Sequence, residues 1–164
     1  MKQINQEKFR SGKNKFLFGS TAAIITNMGL VVGLFSSPNA KANIIGSILI
    51  IAVADNISDT LGIHIYQEAE GLSAKEVWLS SFTNFISRFI VSLIFILLIL
   101  ALPIKTSVVC CLILGFFIIS FTSYFIAVHK GKNPYLAVRE HILVAVIVII
   151  LSKALGNFVI SQFY

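Results

Sequence analysis

Five long apolar runs, separated by short polar connectors, constrain this 164-residue chain more than any other feature. Each run is close to the roughly 20 apolar residues that a helix needs to cross the hydrocarbon core of a bilayer. Connectors this short could not cover five helices that are apolar all round. The sequence therefore predicts an all-α, polytopic membrane protein with five transmembrane helices. The five runs are Phe16–Ser36, Ile44–Ile65, Phe82–Leu102, Val108–Val128 and Ile142–Phe158.

The composition agrees with a membrane protein. Hydrophobic residues make up 57% of the chain and charged residues 12%, against about 25% charged in an average soluble domain. The net charge of +6 does not come from a basic patch, so nucleic acid is not an expected partner. The expected partner is the lipid bilayer.

The basic residues outside the runs follow a topological pattern. Nine lie in the leader and in the second and fourth connectors, whereas the opposite connectors hold Lys41 and Lys105. Cytoplasmic segments are enriched in Lys and Arg, so this bias predicts a cytoplasmic N-terminus. Residues 1–15 are a basic cytoplasmic leader, and residues 16–164 are one five-span domain. The nine basic residues are Lys2, Lys8, Arg10, Lys13, Lys15, Lys75, Lys130, Lys132 and Arg139.

The second run carries the residues that matter most for function. Asp55 and Asp59 are four apart, so about 40° separates them around a helix, and Asn56 flanks them. Charged residues at membrane depth face a cavity, a partner or a pathway, and carboxylates suit a divalent cation or a proton relay. A structural ion pair with Arg88 in the third run is the alternative. His64 is either a ligand of the same site or a helix-contact residue.

Two smaller groups of polar residues have similarly open roles. Thr26, Asn27 and Met28 in the first run either pack or line a pathway opposite the acidic run. Glu68 and Glu70 are either a solvated turn or a cation-capturing cytoplasmic mouth. No nucleophile, metal-ligand triad or phosphate-binding loop stands out, so an enzyme is not expected.

The connectors carry recognisable helix boundaries. Ser73 followed by Glu76 is a capping-box pattern that predicts the start of the third helix. Gly71 predicts the break before it, and Pro103 predicts the end of that helix. Pro134 suits the first turn of the fifth helix.

Three segments together resemble the vacuolar iron transporter family of small iron and manganese exporters. Gly19 to Gly33 resembles the family's opening helix with its glycine spacing. Ala54-Asp55-Asn56-Ile57-Ser58, followed by Gly62, resembles the family's Ala-Asp-x-x-Ser-Met-x-x-Gly-Glu-Tyr segment. Asn133-Pro134 to Leu155-Gly156 is similar to the family's last helix. The order and spacing of these segments cover nearly the whole chain.

The departures from the family pattern fall on residues that the family uses for metal. Ala22 stands where the first helix of the family carries a carboxylate. Asp59 replaces the family's Met, Ile63 its Glu and His64 its Tyr. The Glu-rich cytoplasmic domain of many family members is reduced here to Glu68–Val77.

The resemblance implies a homodimer that exports Fe²⁺ or Mn²⁺ from the cytoplasm in exchange for protons, with no permanently bound cofactor. The implied location is the plasma membrane of a prokaryote or an organelle membrane of a eukaryote. The alternative is a non-transporting membrane protein whose polar stripe in the second span serves helix assembly or partner binding.

Overall fold

The computed structural model describes residues 19–163, and every secondary-structure element in that range is helical. Four helices are long and apolar enough to span a membrane, and a shorter apolar helix precedes them. They are α1 (Gly19–Gly33), α2 (Ala40–Ala69), α3 (Ala74–Ala101), α4 (Ile104–His129) and α5 (Pro134–Phe163). The predicted leader and the start of the first run lie outside the described residues.

The predicted connector signals mark the observed helix boundaries. Ser73 and Glu76 form the capping box at the start of α3, with the Ser73 hydroxyl 2.7 Å from Glu76 Oε2. Gly71 has a positive φ of 74°, which glycine adopts without steric cost. Pro134 is the first residue of α5, and the side chain of Asn133 accepts hydrogen bonds from the first backbone N–H groups of that helix. These boundaries confirm the sequence interpretation of the connectors.

The middle of α2 departs from α-helical geometry. Residues Ile51–Asp55 form a π-helical turn, in which the backbone bond encloses one residue more than in an α-helix. The buried face of α2 runs through Ile44, Ile48, Ala52 and Asn56 in steps of four residues. In an α-helix each such step rotates by about 40°, so the stripe would drift away from its neighbours. The wider turn reduces that drift and keeps the stripe facing the bundle.

Helix α1 lies against three other helices. Its Ile24, Met28 and Val31 are fully buried. Close approach is possible because small residues meet at the contacts: Gly29 and Gly33 face Ser152 and Gly156 of α5. Gly115 of α4 faces Met28, and Gly19 faces Asn84 and Ser87 of α3. Helix α1 is therefore held between α3, α4 and α5.

The remaining contacts pair neighbouring helices along the chain. Helix α2 packs along α3, and α4 packs along α5. At the end of the α2–α3 pair away from their connector, Lys41 Nζ donates hydrogen bonds to the carbonyl oxygens of Leu100 and Leu102, at 3.0 and 3.3 Å. These carbonyls lie at the end of α3, where no further helical turn can satisfy them.

Large apolar side chains are exposed on all four long helices. Such an exterior would be unfavourable in water and suits a lipid environment. The helices are thus compatible with a multi-pass integral membrane protein. Examples are Ile50, Leu97, Phe117 and Leu155, each more than 50% exposed.

Candidate functional site

Arg88 of α3 bridges the two aspartates of α2. Its Nη2 lies 2.6 Å from Asp55 Oδ2, and its Nη1 lies 3.0 Å from Asp59 Oδ2. The aspartates are one turn apart, about 6 Å along the helix axis, and the planar guanidinium can reach both with different nitrogens. Both ion pairs are short, charge-assisted hydrogen bonds.

The three charges do not cancel. The Arg88 side chain is 8% exposed, whereas those of Asp55 and Asp59 are 53% and 39% exposed. With both carboxylates ionised, the cluster carries a net charge of −1. The excess negative charge therefore lies on a face of α2 that the described helices leave open.

Further polar contacts continue from this cluster toward the α2–α3 connector. Asn84 donates to Asp59 Oδ2 and to Thr60 Oγ1, both at 3.3 Å. His64 Nδ1 lies 3.2 Å from Ser81 Oγ, and Gln67 donates to Ser80 Oγ at 2.8 Å. We call this set of side chains the polar seam. Its members are Asp55, Asn56, Asp59, Thr60, His64 and Gln67 of α2 and Ser80, Ser81, Asn84 and Arg88 of α3.

His64 and Asn56 belong to the seam through contacts with α3. Besides Ser81, the His64 ring packs edge-on against Trp78, with ring centroids 4.7 Å apart. His64 Nε2 lies 3.5 Å from Glu68 Oε1 on the next turn. Asn56 donates to the backbone carbonyl of Phe85 at 3.0 Å. The structure thus places His64 nearer the connector than the aspartates, beside an exposed glutamate.

The three predicted residues of α1 point in different directions, because consecutive residues of an α-helix are about 100° apart. Asn27 donates to Ser92 Oγ of α3 at 3.1 Å. Met28 packs against Gly115 of α4. Thr26 lines an open groove between α1, α2 and α5, with a volume of about 920 Å³. Asn27 thus bonds to α3 one turn beyond Arg88.

The glutamates near the connector lie at the surface. Glu68 and Glu70 are both exposed, and Glu70 ends α2. Glu68 pairs with His64, which links this end of α2 to the polar seam. Neither glutamate contacts Asp55 or Asp59 within the described part of the chain.

Sequence reasoning missed the α3 side of the seam, apart from Arg88. Ser80, Ser81, Asn84 and Ser87 are all buried, and Asn84 is three or four residues from each of the others and from Arg88. This spacing places them on one helix face. The signal was present in the sequence as a polar stripe from Ser80 to Ser92.

Between Gly19 and Phe163, no group of three or more His, Cys, Asp or Glu side chains is arranged to hold a metal ion. Instead, Oδ2 of Asp55 and Oδ2 of Asp59 each pair with the Arg88 guanidinium. Within one chain, the described site is therefore a bridged ion pair with excess negative charge.

The fold and the site together define a class: an all-helical chain with membrane-length apolar helices and a charged cluster between two of them. Comparison with protein-family models, with curated proteins and with solved structures found no match.

Proposed function

We propose that this protein is a multi-pass membrane transporter in which Asp55 and Asp59 bind a cation or proton and Arg88 is their resident counter-ion. The observation that carries the proposal is the pairing of two carboxylates with one guanidinium. Excess charge at membrane depth is costly unless a partner neutralises it. A single proton would neutralise the cluster of one chain.

The proposal includes five crossings and a cytoplasmic N-terminus. With five alternating crossings, connectors 70–73 and 130–133 would lie at the same end of the helix bundle, and Lys75, Lys130 and Lys132 are at or beside them in the sequence. The opposite end has Lys41 and Lys105. This distribution supports a cytoplasmic location for the first end.

A homodimer would change the charge balance in a way that suits a divalent ion. A two-fold axis bringing two clusters together would combine two net charges of −1. One Fe²⁺ or Mn²⁺ would neutralise both, and two protons would do the same, which is the stoichiometry of a metal–proton exchange. The identity of the metal rests on the resemblance to the vacuolar iron transporter family.

The proposed dimer would meet along α2. Gly46 and Gly62 have open space where a side chain would be, so a second helix could approach there. Gly29 and Gly33 face α5 of the same chain and do not serve this contact.

Helix assembly is the second candidate function of the polar seam. The side-chain contacts between α2 and α3 link most of the polar residues of the second run to a partner. Polar contacts between helices can hold a membrane bundle together without transport. In this case the seam would stabilise the α2–α3 pair or the binding of another membrane protein.

Metal flux into proteoliposomes separates the two functions. We expect Mn²⁺ or Fe²⁺ uptake that depends on a pH gradient and is lost in Asp59→Asn. Glu140→Gln removes an exposed carboxylate of α5 outside the seam and should leave uptake unchanged. Absence of flux from folded wild-type protein would reject transport of these ions. Flux that persists in both Asp55→Asn and Asp59→Asn would reject the aspartates as the site.

A further inference from the structure

Four buried side-chain atoms lack a hydrogen-bond partner in the described part of the chain, and all four are amide oxygens. They are Asn27 Oδ1, Asn56 Oδ1, Gln67 Oε1 and Asn84 Oδ1. All belong to α1, α2 or α3, and none to α4 or α5 as described. An unpaired buried acceptor is unfavourable, so four of them in three helices call for a donor other than a protein side chain.

Three of these four residues lie near Arg88 in the register of the helices. Asn84 precedes Arg88 by one turn of α3. Asn27 is bonded to Ser92, which follows Arg88 by one turn. Asn56 lies beside Asp55 on α2. The three asparagines are at most 2% exposed, so bulk solvent does not reach them.

Arg88 has unused donors in the same place. A guanidinium has five N–H groups, and Arg88 uses two of them, toward Asp55 and Asp59. Its side chain is only 8% exposed. Arg88, with unused N–H donors, and Asn84, with an unpaired oxygen, are therefore one turn apart on α3, and no direct bond joins them in the described structure.

We propose that internal water molecules between α1, α2 and α3 bridge the Arg88 guanidinium to the amide oxygens of Asn27, Asn56 and Asn84. A water molecule both accepts from N–H and donates to C=O, so it satisfies both kinds of group at once. The orphan side-chain atoms are all acceptors, which favours water over an anion. The ion pair between α2 and α3 is thus hydrated on its α1 side.

Hydration gives the aspartates a proton source inside the bundle. Water bound to Arg88 would contact the same guanidinium that pairs with Asp55 and Asp59. This consequence rests on the proposed transport function, whereas the proposed water rests on the unpaired groups alone.

Water-edited solid-state NMR of the ¹⁵N-arginine-labelled protein in liposomes tests the proposal. The chain has three arginines, and single Arg→Lys variants assign their guanidinium signals. Arg139 is exposed and serves as the wet reference. The backbone amide of Ile119, a residue with 0% exposure in α4, serves as the dry reference. We expect magnetisation from water to reach Arg88 nearly as fast as Arg139 and several-fold faster than Ile119.

Two variants locate the water. Asn27→Leu replaces the α1 amide with an apolar side chain and should slow the transfer to Arg88 several-fold. Thr122→Val removes a buried hydroxyl of α4 that bonds only to its own helix, and it should have no effect. A wild-type rate as slow as that of Ile119 would overturn the proposal, as would a fast rate that Asn27→Leu leaves unchanged. If Asn27→Leu does not fold, the wild-type comparison decides. The measurement needs no metal flux, so its outcome is independent of the transport test.

Discussion

Gly156 of α5 lies directly against the backbone of Gly33 in α1, so close that a methyl group on Gly156 would overlap the Gly33 carbonyl. The contact is backbone to backbone, so no flexible side chain can move aside. We expect Gly156→Ala to destabilise the folded protein by about 1–3 kcal/mol through overpacking. Gly46→Ala, measured on the detergent-solubilised monomer, is the matched control, because Gly46 has open space within the chain and alanine favours a helix by about 1 kcal/mol over glycine. Unfolding in detergent should therefore shift in opposite directions, and equal shifts would contradict this packing.

The bridged ion pair predicts strongly non-additive mutations. Asp55→Asn or Asp59→Asn alone leaves one carboxylate for Arg88 and removes the excess charge, so stability should change by about 1 kcal/mol or less. The double variant leaves Arg88 buried without a counter-ion and should cost about 3–5 kcal/mol. Adding Arg88→Gln to the double variant should recover much of that loss. Denaturant titration in detergent measures all four, and single variants as damaging as the double would reject the bridge.

The π-helical turn predicts an unusual tolerance to deletion. The turn holds one residue more than an α-helical turn, so removing the exposed Val53 should convert it to α-helix with both halves of α2 still helical. Deleting Leu61, which is similarly exposed but lies in the α-helical half, should rotate the following residues by about 100° and misplace His64 and Gln67. Thermal stability and monodispersity in detergent compare the two. Equal damage from both deletions would argue against the π turn.

The proposed five-span topology predicts that opposite connectors label from opposite sides. Ser36 and Lys132 are exposed and lie in different connectors. In a background with Cys110 and Cys111 replaced by Ala, Ser36→Cys should react with a membrane-impermeant reagent from outside. Lys132→Cys should react only after permeabilisation. Asn133 is a poorer site, because its side chain caps α5. Labelling of both cysteines from one side would mean that the topology is wrong.

The proposed dimer predicts crosslinks at the two open glycine positions of α2. A cysteine at Gly46 or Gly62 should form a disulfide-linked dimer in native membranes. Leu97→Cys, on an exposed face of α3, is the control and should remain monomeric. Absence of a crosslink at both glycine positions would remove the support for a contact along α2.

The helices and their boundaries could be predicted from the sequence because they depend on local signals. Apolar run length, the Ser73–Glu76 pair and the prolines act over a few residues and do not need tertiary structure. The longer helices extend beyond the apolar runs: α5 begins at Pro134, well before Ile142. Polar residues at a helix end can remain helical outside the membrane core, so in α2, α4 and α5 the apolar run marks the minimum length.

The details of the site depended on information that the sequence pattern does not carry. The π turn contains no glycine or proline that would have signalled it. The direction of Thr26, Asn27 and Met28 depends on which helices surround α1. Arg88 was predicted as an alternative ion-pair partner of the aspartates. Its contact with both of them depends on the axial offset between α2 and α3, which the sequence does not give. Asn84 could have been found from the spacing of the polar stripe in α3.

Lys41 adds a contact that joins α2 and α3 at the end opposite their connector. The short connector around Gly71 joins the helices at one end, and the ammonium group of Lys41 ties the start of α2 to the last carbonyls of α3 at the other. Sliding of α2 along α3 would therefore break contacts at both ends as well as the hydrogen bonds of the polar seam between them. The widened turn at Ile51–Asp55 lies near the middle of α2, and its last residue is Asp55. A change in backbone geometry at this turn would therefore move Asp55 relative to Arg88.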